Sequence, residues 1–168
     1  MTVERIKTQH ALIVEDYLDR NYTIMYTDAS LSEDKTGCGI FILNTNAGYS
    51  FHTPFKSSSA FGELLAIEEA IDIATHNEYF SLVIFTDSLI SCQTLKNRKS
   101  NNSIAVRIHN KISQNLFRSV QIRWIPSRKN IPGNDKADEL AKKSIELNSS
   151  KTVKLKIDEA CKLTKNRI

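Results

Sequence analysis

Four acidic residues stand where a fold could gather them. Asp28 and Asp87 each close a short apolar run, while Glu63 and Asp138 lie early in segments with helical periodicity. Neighbouring strand ends bring their side chains together at the rim of a sheet, where open α/β sheets place their ligand sites. Carboxylates that converge there repel. At about 4 Å and an effective dielectric of about 20, each like-charged pair costs roughly 4 kcal/mol. Such a group must protonate in part, splay apart or hold a cation. A donor set of carboxylate oxygens without His or Cys suits Mg²⁺ or Mn²⁺ and disfavours zinc. A pair of those ions supports in-line displacement at phosphorus, with water as the nucleophile.

The elements that must position these acids are legible in the periodicity. Residues 22–26 alternate and run into Thr27 and Asp28, which predicts a strand ending in an acid. Residues 37–43 and 48–53 predict two further strands joined by a turn at Asn44, Thr45 and Asn46. Ser57, Ser58 and Ser59 offer caps for a long helix in which Phe61, Leu64, Leu65, Ile67, Ile71 and Ala74 recur at helical spacing. A buried strand at 82–85 leads into Thr86 and Asp87, helices follow at 88–95 and 103–116, and a last strand spans 120–125. A Pro/Gly loop at 126–133 separates that strand from a helix at 135–147, where Asp135 suits the N-terminus. The expected order is βββαβααβα, an α/β fold with a mixed five-stranded sheet flanked by helices.

Composition narrows the function. The 168 residues suffice for one core, so residues 22–147 are read as a single domain. Residues 1–21 are read as an N-terminal flank and 148–168 as a basic tail or linker, with six basic and two acidic residues in 151–168. Apolar runs such as 40–43 and 70–74 fall far short of the ~20 residues of a membrane span. The N-terminus lacks the pattern of a secretory signal, which favours an intracellular protein, cytoplasmic or nuclear. Cys38, Cys92 and Cys161 show neither disulfide nor zinc spacing and are read as reduced thiols. His10, His52, His76 and His109 are read as surface or packing residues. Residues 1–87 carry five basic and thirteen acidic side chains, whereas 88–134 carry nine basic ones and no acid. That asymmetry points to a polyanionic partner, nucleic acid above all.

Taken in order, Tyr26-Thr27-Asp28-Ala29-Ser30, Glu63, Thr86-Asp87-Ser88, Trp124-Ile125-Pro126-Ser127 and Ile131-Pro132-Gly133-Asn134-Asp135-Lys136-Ala137-Asp138 resemble the type 1 ribonuclease H family. The resemblance is closest to the ribonuclease H domains of non-LTR retrotransposon polyproteins. It implies an endoribonuclease that cuts the RNA strand of an RNA/DNA hybrid, acting as a monomer when isolated or beside a reverse transcriptase domain. It implies two Mg²⁺ ions, with Mn²⁺ as substitute. By resemblance Asp28 bridges both ions, Asp138 holds the one that activates water, and Glu63 and Asp87 hold the other. Ser30, Ser59 and Ser88, beside the acids, are candidates for contacts to 2′-hydroxyls. Lys96, Arg98, Lys99 and Arg128 are candidates for phosphate contacts.

One position departs from the family pattern. Four residues beyond Trp124 the family commonly has a loop His that assists proton transfer or product release, and here Arg128 stands. Arginine stays protonated and cannot shuttle protons, though it binds phosphate. The connection at 95–103 is too short for the extra basic helix of some bacterial members. A rival reading is therefore a catalytically weak nucleic-acid-binding or tether domain that keeps the fold. Another is an integrase or transposase core, which lacks a metal-binding Glu on the first helix.

Overall fold

The computed structural model describes residues 1–147 and the backbone of Val153–Lys156. The strands are β1 (Thr23–Leu31), β2 (Thr36–Ile42), β3 (Ala47–Thr53), β4 (Ser81–Thr86), β5 (Ser119–Trp124) and β6 (Val153–Lys156). The helices are α1 (Val3–Asp19), α2 (Ser59–His76), α3 (Leu89–Lys96), α4 (Ser103–Gln114) and α5 (Pro132–Ser144). One sheet runs in the order β5-β4-β1-β2-β3-β6. The β1-β4 and β4-β5 pairs are parallel and the others antiparallel. The expected five-stranded mixed sheet is present, and β6 extends it along β3. The rest of the basic tail lies outside the described residues.

Both faces of the sheet are covered, which explains why its central strands read as almost unbroken apolar runs. Met25, Ile40, Ile42, Leu82 and Ile84 face one way and pack with Leu64, Ile67 and Ile71 of α2 and Ile104 and Ile108 of α4. The alternate residues Ile24, Tyr26, Phe41, Val83 and Phe85 face the other way and pack with Tyr17 of α1 and Ala137 and Leu140 of α5. The period-two alternation of side chains thus splits one apolar string into two cores.

Residues 3–19, expected only as a flank, form a helix. Thr2 caps it by accepting from the Arg5 amide. Ile6, Ile13, Val14 and Tyr17 face the sheet, at spacings of three, four and seven that one helical face requires. His10 sits in the middle of that face, buried, with its Nε2 2.6 Å from the Tyr26 hydroxyl and its ring edge-on to Phe85. Burial, then the positive charge of Arg123, lowers its pKa to about 4, so it is a neutral packing residue.

α5 lies directly on β2, which admits no side chain there. A Cβ on Gly39 would overlap the Ala137 carbonyl and the Ala141 amide of α5, both backbone atoms that cannot step aside. Gly39 pairs with Asp28 across the β1-β2 ladder, so the same residue sets the height of α5 above that acid. Gly39→Ala is expected to lower unfolding free energy in urea by about 2–3 kcal/mol, as overpacked cores do. An unchanged midpoint would show that α5 is free to shift.

Candidate active site

Strand register brings the first two acids together. β1 and β4 run parallel with Thr27 opposite Thr86, so Asp28 and Asp87 are the next residues in step on adjacent strands. The alternation predicts a first strand that ends at Asp28, but β1 continues to Leu31. The reason is its second neighbour: β4 stops at Thr86, whereas β2 pairs with β1 as far as Leu31. Asp28 is therefore anchored in a ladder and Asp87 stands just beyond one. Glu63 approaches from α2, whose start is fixed by the Ser58 hydroxyl accepting from the Phe61 amide. Gly62, just before it, lets that turn close on β1 and β2, since a Cβ there would press on Thr36 and Ala29.

One carboxylate oxygen from each of Asp28, Glu63 and Asp87 lies within 4.8 Å of the others. Asp28 and Glu63 are buried, at 7% and 6% exposure, and Asp87 is half-buried. Asp28 accepts from the Ala29 amide at 2.9 Å, and Asp87 accepts from the Asn134 side-chain amide at 3.3 Å. Oε2 of Glu63 is buried with no hydrogen-bond partner among the described residues. Burial first, and then the charge of Asp87, pushes Asp28 up to about 7. Burial, followed by the charge of Asp28, raises Glu63 further. Burial likewise raises Asp87.

The donor chemistry fits a hard divalent cation. Three carboxylates converge with no imidazole or thiolate among them, and a buried carboxylate oxygen is left without a proton donor. A cation would offset both the repulsion and the lost hydration.

The remaining candidates are placed unevenly. Asp138, on α5, lines a cleft of about 410 Å³ with Asp28 and Asp87, yet it does not join the group of three. Its carboxylate is ion-paired with Lys142 one helical turn on, at 2.8 Å. Arg128 lines the same cleft from an exposed loop, with a left-handed backbone at φ 55°. Ser30 lies two residues beyond Asp28 on β1 and so shares its face. Ser59 is the exposed first residue of α2. Ser88 is committed to capping α3, accepting from the Ser91 amide and donating to the Ser91 hydroxyl. Lys96, Arg98 and Lys99 are exposed, and the first two line a groove of about 590 Å³ that also includes Trp124.

The basic stretch at 88–134 does not form one surface. Arg107 binds Glu68 through two hydrogen bonds, and Lys111 binds Asp72 and Glu68, so both tie α4 to α2. Arg123 donates to the Tyr17 hydroxyl. Asn134 carries no assigned role in the sequence pattern: the expected helix begins at Asp135, whereas α5 begins at Pro132 and so takes Asn134 into its first turn, against Asp87.

The acids predict an inverted pH dependence of stability. A carboxyl whose folded pKa is raised binds more protons folded than unfolded, so stability falls as pH rises through that interval. For Asp28 the interval runs from 3.8 to about 7. Metal-free protein in chelator is expected to melt at a lower temperature at pH 8 than at pH 5.5. Mg²⁺ is expected to restore more stability at pH 8. A melting temperature that rises over this range without metal would show that the cluster is not strained.

Comparison with known proteins agrees with this geometry. The RNase H family model matches residues 20–146. No curated protein sequence matches significantly. The RNase H1 of the halophilic archaeon Halobacterium salinarum NRC-1 is similar in structure, with TM-score 0.60 and 16% identity over 74% of this chain and 98% of that one. LC11-RNase H1, isolated from compost and solved in complex with RNA/DNA hybrid, gives TM-score 0.60 and 18% identity over 74% and 96%. The N-terminal RNase H domain of rv2228c from Mycobacterium tuberculosis gives 0.58 and 15% over 85% and 98%. Those three likenesses show the fold; the family match, which spans the greater part of the chain and all four candidate acids, shows the descent. The chain belongs to the RNase H family.

Proposed function

We propose that the protein is an endoribonuclease that hydrolyses the RNA strand of RNA/DNA hybrids. The observation that carries this reading is the convergence of Asp28, Glu63 and Asp87, the first two buried, at the sheet rim of an RNase H fold. The hybrid bound to LC11-RNase H1 supports the substrate class. Asp28, Glu63, Asp87 and Asp138 would hold two Mg²⁺ ions, with Mn²⁺ as substitute. Bound there, the ions supply an activated water and stabilise the leaving oxygen at phosphorus.

The residues of the chain do the rest. Asp28, fixed in the β1-β2 ladder, presents its carboxylate at one height, and Glu63 and Asp87 close on it from α2 and β4. Asp138 must exchange Lys142 for the site, and an exposed i,i+4 pair of this kind contributes only about 0.3–0.5 kcal/mol. Arg128, in the cleft wall, would bind a substrate phosphate as a permanent cation. Ser30 offers a hydroxyl on the Asp28 face for a 2′-hydroxyl contact. Ser59, exposed at the start of α2, and Ser88, already hydrogen-bonded as the cap of α3, are weaker candidates. Trp124, 48% exposed, shares a groove with Lys96 and Arg98 in which a strand could stack a base and set down its phosphates, and the exposed Lys99 remains a candidate for a further phosphate contact.

The motif pattern further supports a role in retroelement reverse transcription beside a reverse transcriptase domain of the same polyprotein, within the cell. Among the described residues no helix is long and apolar enough to cross a membrane. Two observations favour a second reading: with Arg128 in place of His and Asp138 paired to Lys142, the fold would serve as a nucleic-acid-binding tether with weak catalysis.

Two substitutions decide between them. Asp28→Asn removes one charge at nearly constant volume and is expected to cut hybrid cleavage at least about 100-fold, the scale of losing one preorganised charge-stabilising group. Its circular dichroism should match wild type, and cleavage at near wild-type rate would refute the metal-site assignment. Arg128→His introduces a group that exchanges protons near neutrality and is expected to raise steady-state turnover roughly 10-fold. An unchanged or lower rate would show that Arg128 does not limit the reaction.

A further inference from the structure

Asp87 is the least anchored member of the acidic group. Asp28 sits inside a ladder opposite Gly39, and Glu63 is held on a packed helix, but the last β4-β5 pair is Thr86 with Trp124. Asp87 is the next residue, before α3 begins at Leu89. Its main chain is tied through its carbonyl, which accepts from the Trp124 indole at 3.3 Å. Its carboxylate accepts from the Asn134 amide. The orientation of that carboxylate therefore depends on α5, a helix on another part of the chain.

Asn134 is an expensive residue at this position. It is buried at 5% exposure, and its Oδ1 has no hydrogen-bond partner among the described residues. A buried polar atom left unpaired is destabilising, because it gives up its hydration for no hydrogen bond in return. Packing alone would be served as well by an apolar side chain of similar volume. What the amide does that an apolar group cannot is donate to one Asp87 oxygen. It does so without bringing a positive charge, which a Lys or Arg would carry into a group suited to cations.

The amide is itself held in place. Gly133, the preceding residue, lies flat against the Tyr26 ring, where a Cβ would overlap three ring carbons. Tyr26 is fixed in turn by His10 at its hydroxyl and by Phe41 and Phe85 at its ring. The first turn of α5 is thus seated on the sheet core, and Asn134 projects from a fixed base.

We infer that Asn134 is a positioning residue that orients the Asp87 carboxylate for divalent-ion binding, through the amide bond that links α5 to the end of β4. The inference rests on the divalent-ion reading of the acidic group. Mn²⁺ binding by isothermal titration to the whole chain, with melting temperature measured in chelator, tests it in Asn134→Ala and Asn134→Leu. Both variants are expected to weaken Mn²⁺ binding about 10-fold, as loss of a group that orients a metal ligand does. Asn134→Leu should melt at or above the wild-type temperature, because the unpaired oxygen is removed and the volume is kept. Unchanged Mn²⁺ affinity in both variants, beside a wild type that binds, overturns the inference alone. Affinity lost only together with a lower melting temperature in both would assign Asn134 to packing and also overturn it. A wild type that binds no Mn²⁺ overturns the divalent-ion reading and this inference with it.

Discussion

Like charges drawn together out of water are the constraint on which the rest of this structure depends. Asp28 and Glu63 are buried beside each other with Asp87 at 4.8 Å or less, and burial raises all three carboxyls. No isolated segment would adopt that arrangement, because each pair opposes it by several kcal/mol before hydration is counted. The fold imposes it by register: a single parallel pairing, Thr27 with Thr86, makes the two aspartates neighbours, and the packing of α2 on β1 adds the glutamate. Two apolar cores, one on each face of the sheet, supply the stabilisation that holds the acids there.

The cost of the site is spread over residues outside the acidic group itself. Glycines at 39, 62 and 133 let α5 and α2 approach the sheet more closely than any side chain permits. α1, which begins before the family match does, packs its His10 and Tyr17 under Tyr26 and Phe85 and so supports the floor on which α5 rests. A helix at that place completes the second core; without it Tyr26, Phe85 and Ile24 would face solvent on one side.

Much of this was legible in the residues and some was not, for physical reasons. The strand at Ser81–Thr86 and the helix at Ser59–His76 were readable because burial on two faces and on one stripe leave distinct apolar patterns. The adjacency of Asp28 and Asp87 followed from both acids closing apolar runs. The extension of β1 to Leu31 was not readable, since it depends on which neighbour pairs with it. α1 was missed because a polar His10 occupies the centre of its buried face and breaks the apolar stripe. The pairing of Asp138 with Lys142 is an i,i+4 relation visible in sequence, but its preference over the acidic group is a matter of distance. The run of positive charge at 88–134 suggested one binding face, yet Arg107 and Lys111 meet acids of α2 that lie some 39 residues away in sequence. Pairings of that kind are set by helix packing and leave no local signature.

The activity that this acidic group, with divalent ions, would carry is the cutting of RNA paired to DNA. Its most direct test is incubation of the purified chain with a hybrid labelled on either strand, with Mg²⁺, with Mn²⁺ and with chelator, beside double-stranded DNA and double-stranded RNA as controls. The expected result is cleavage of the RNA strand of the hybrid alone, in the presence of either ion and not in chelator. Cleavage that survives chelation, or an intact hybrid under both ions, would contradict it.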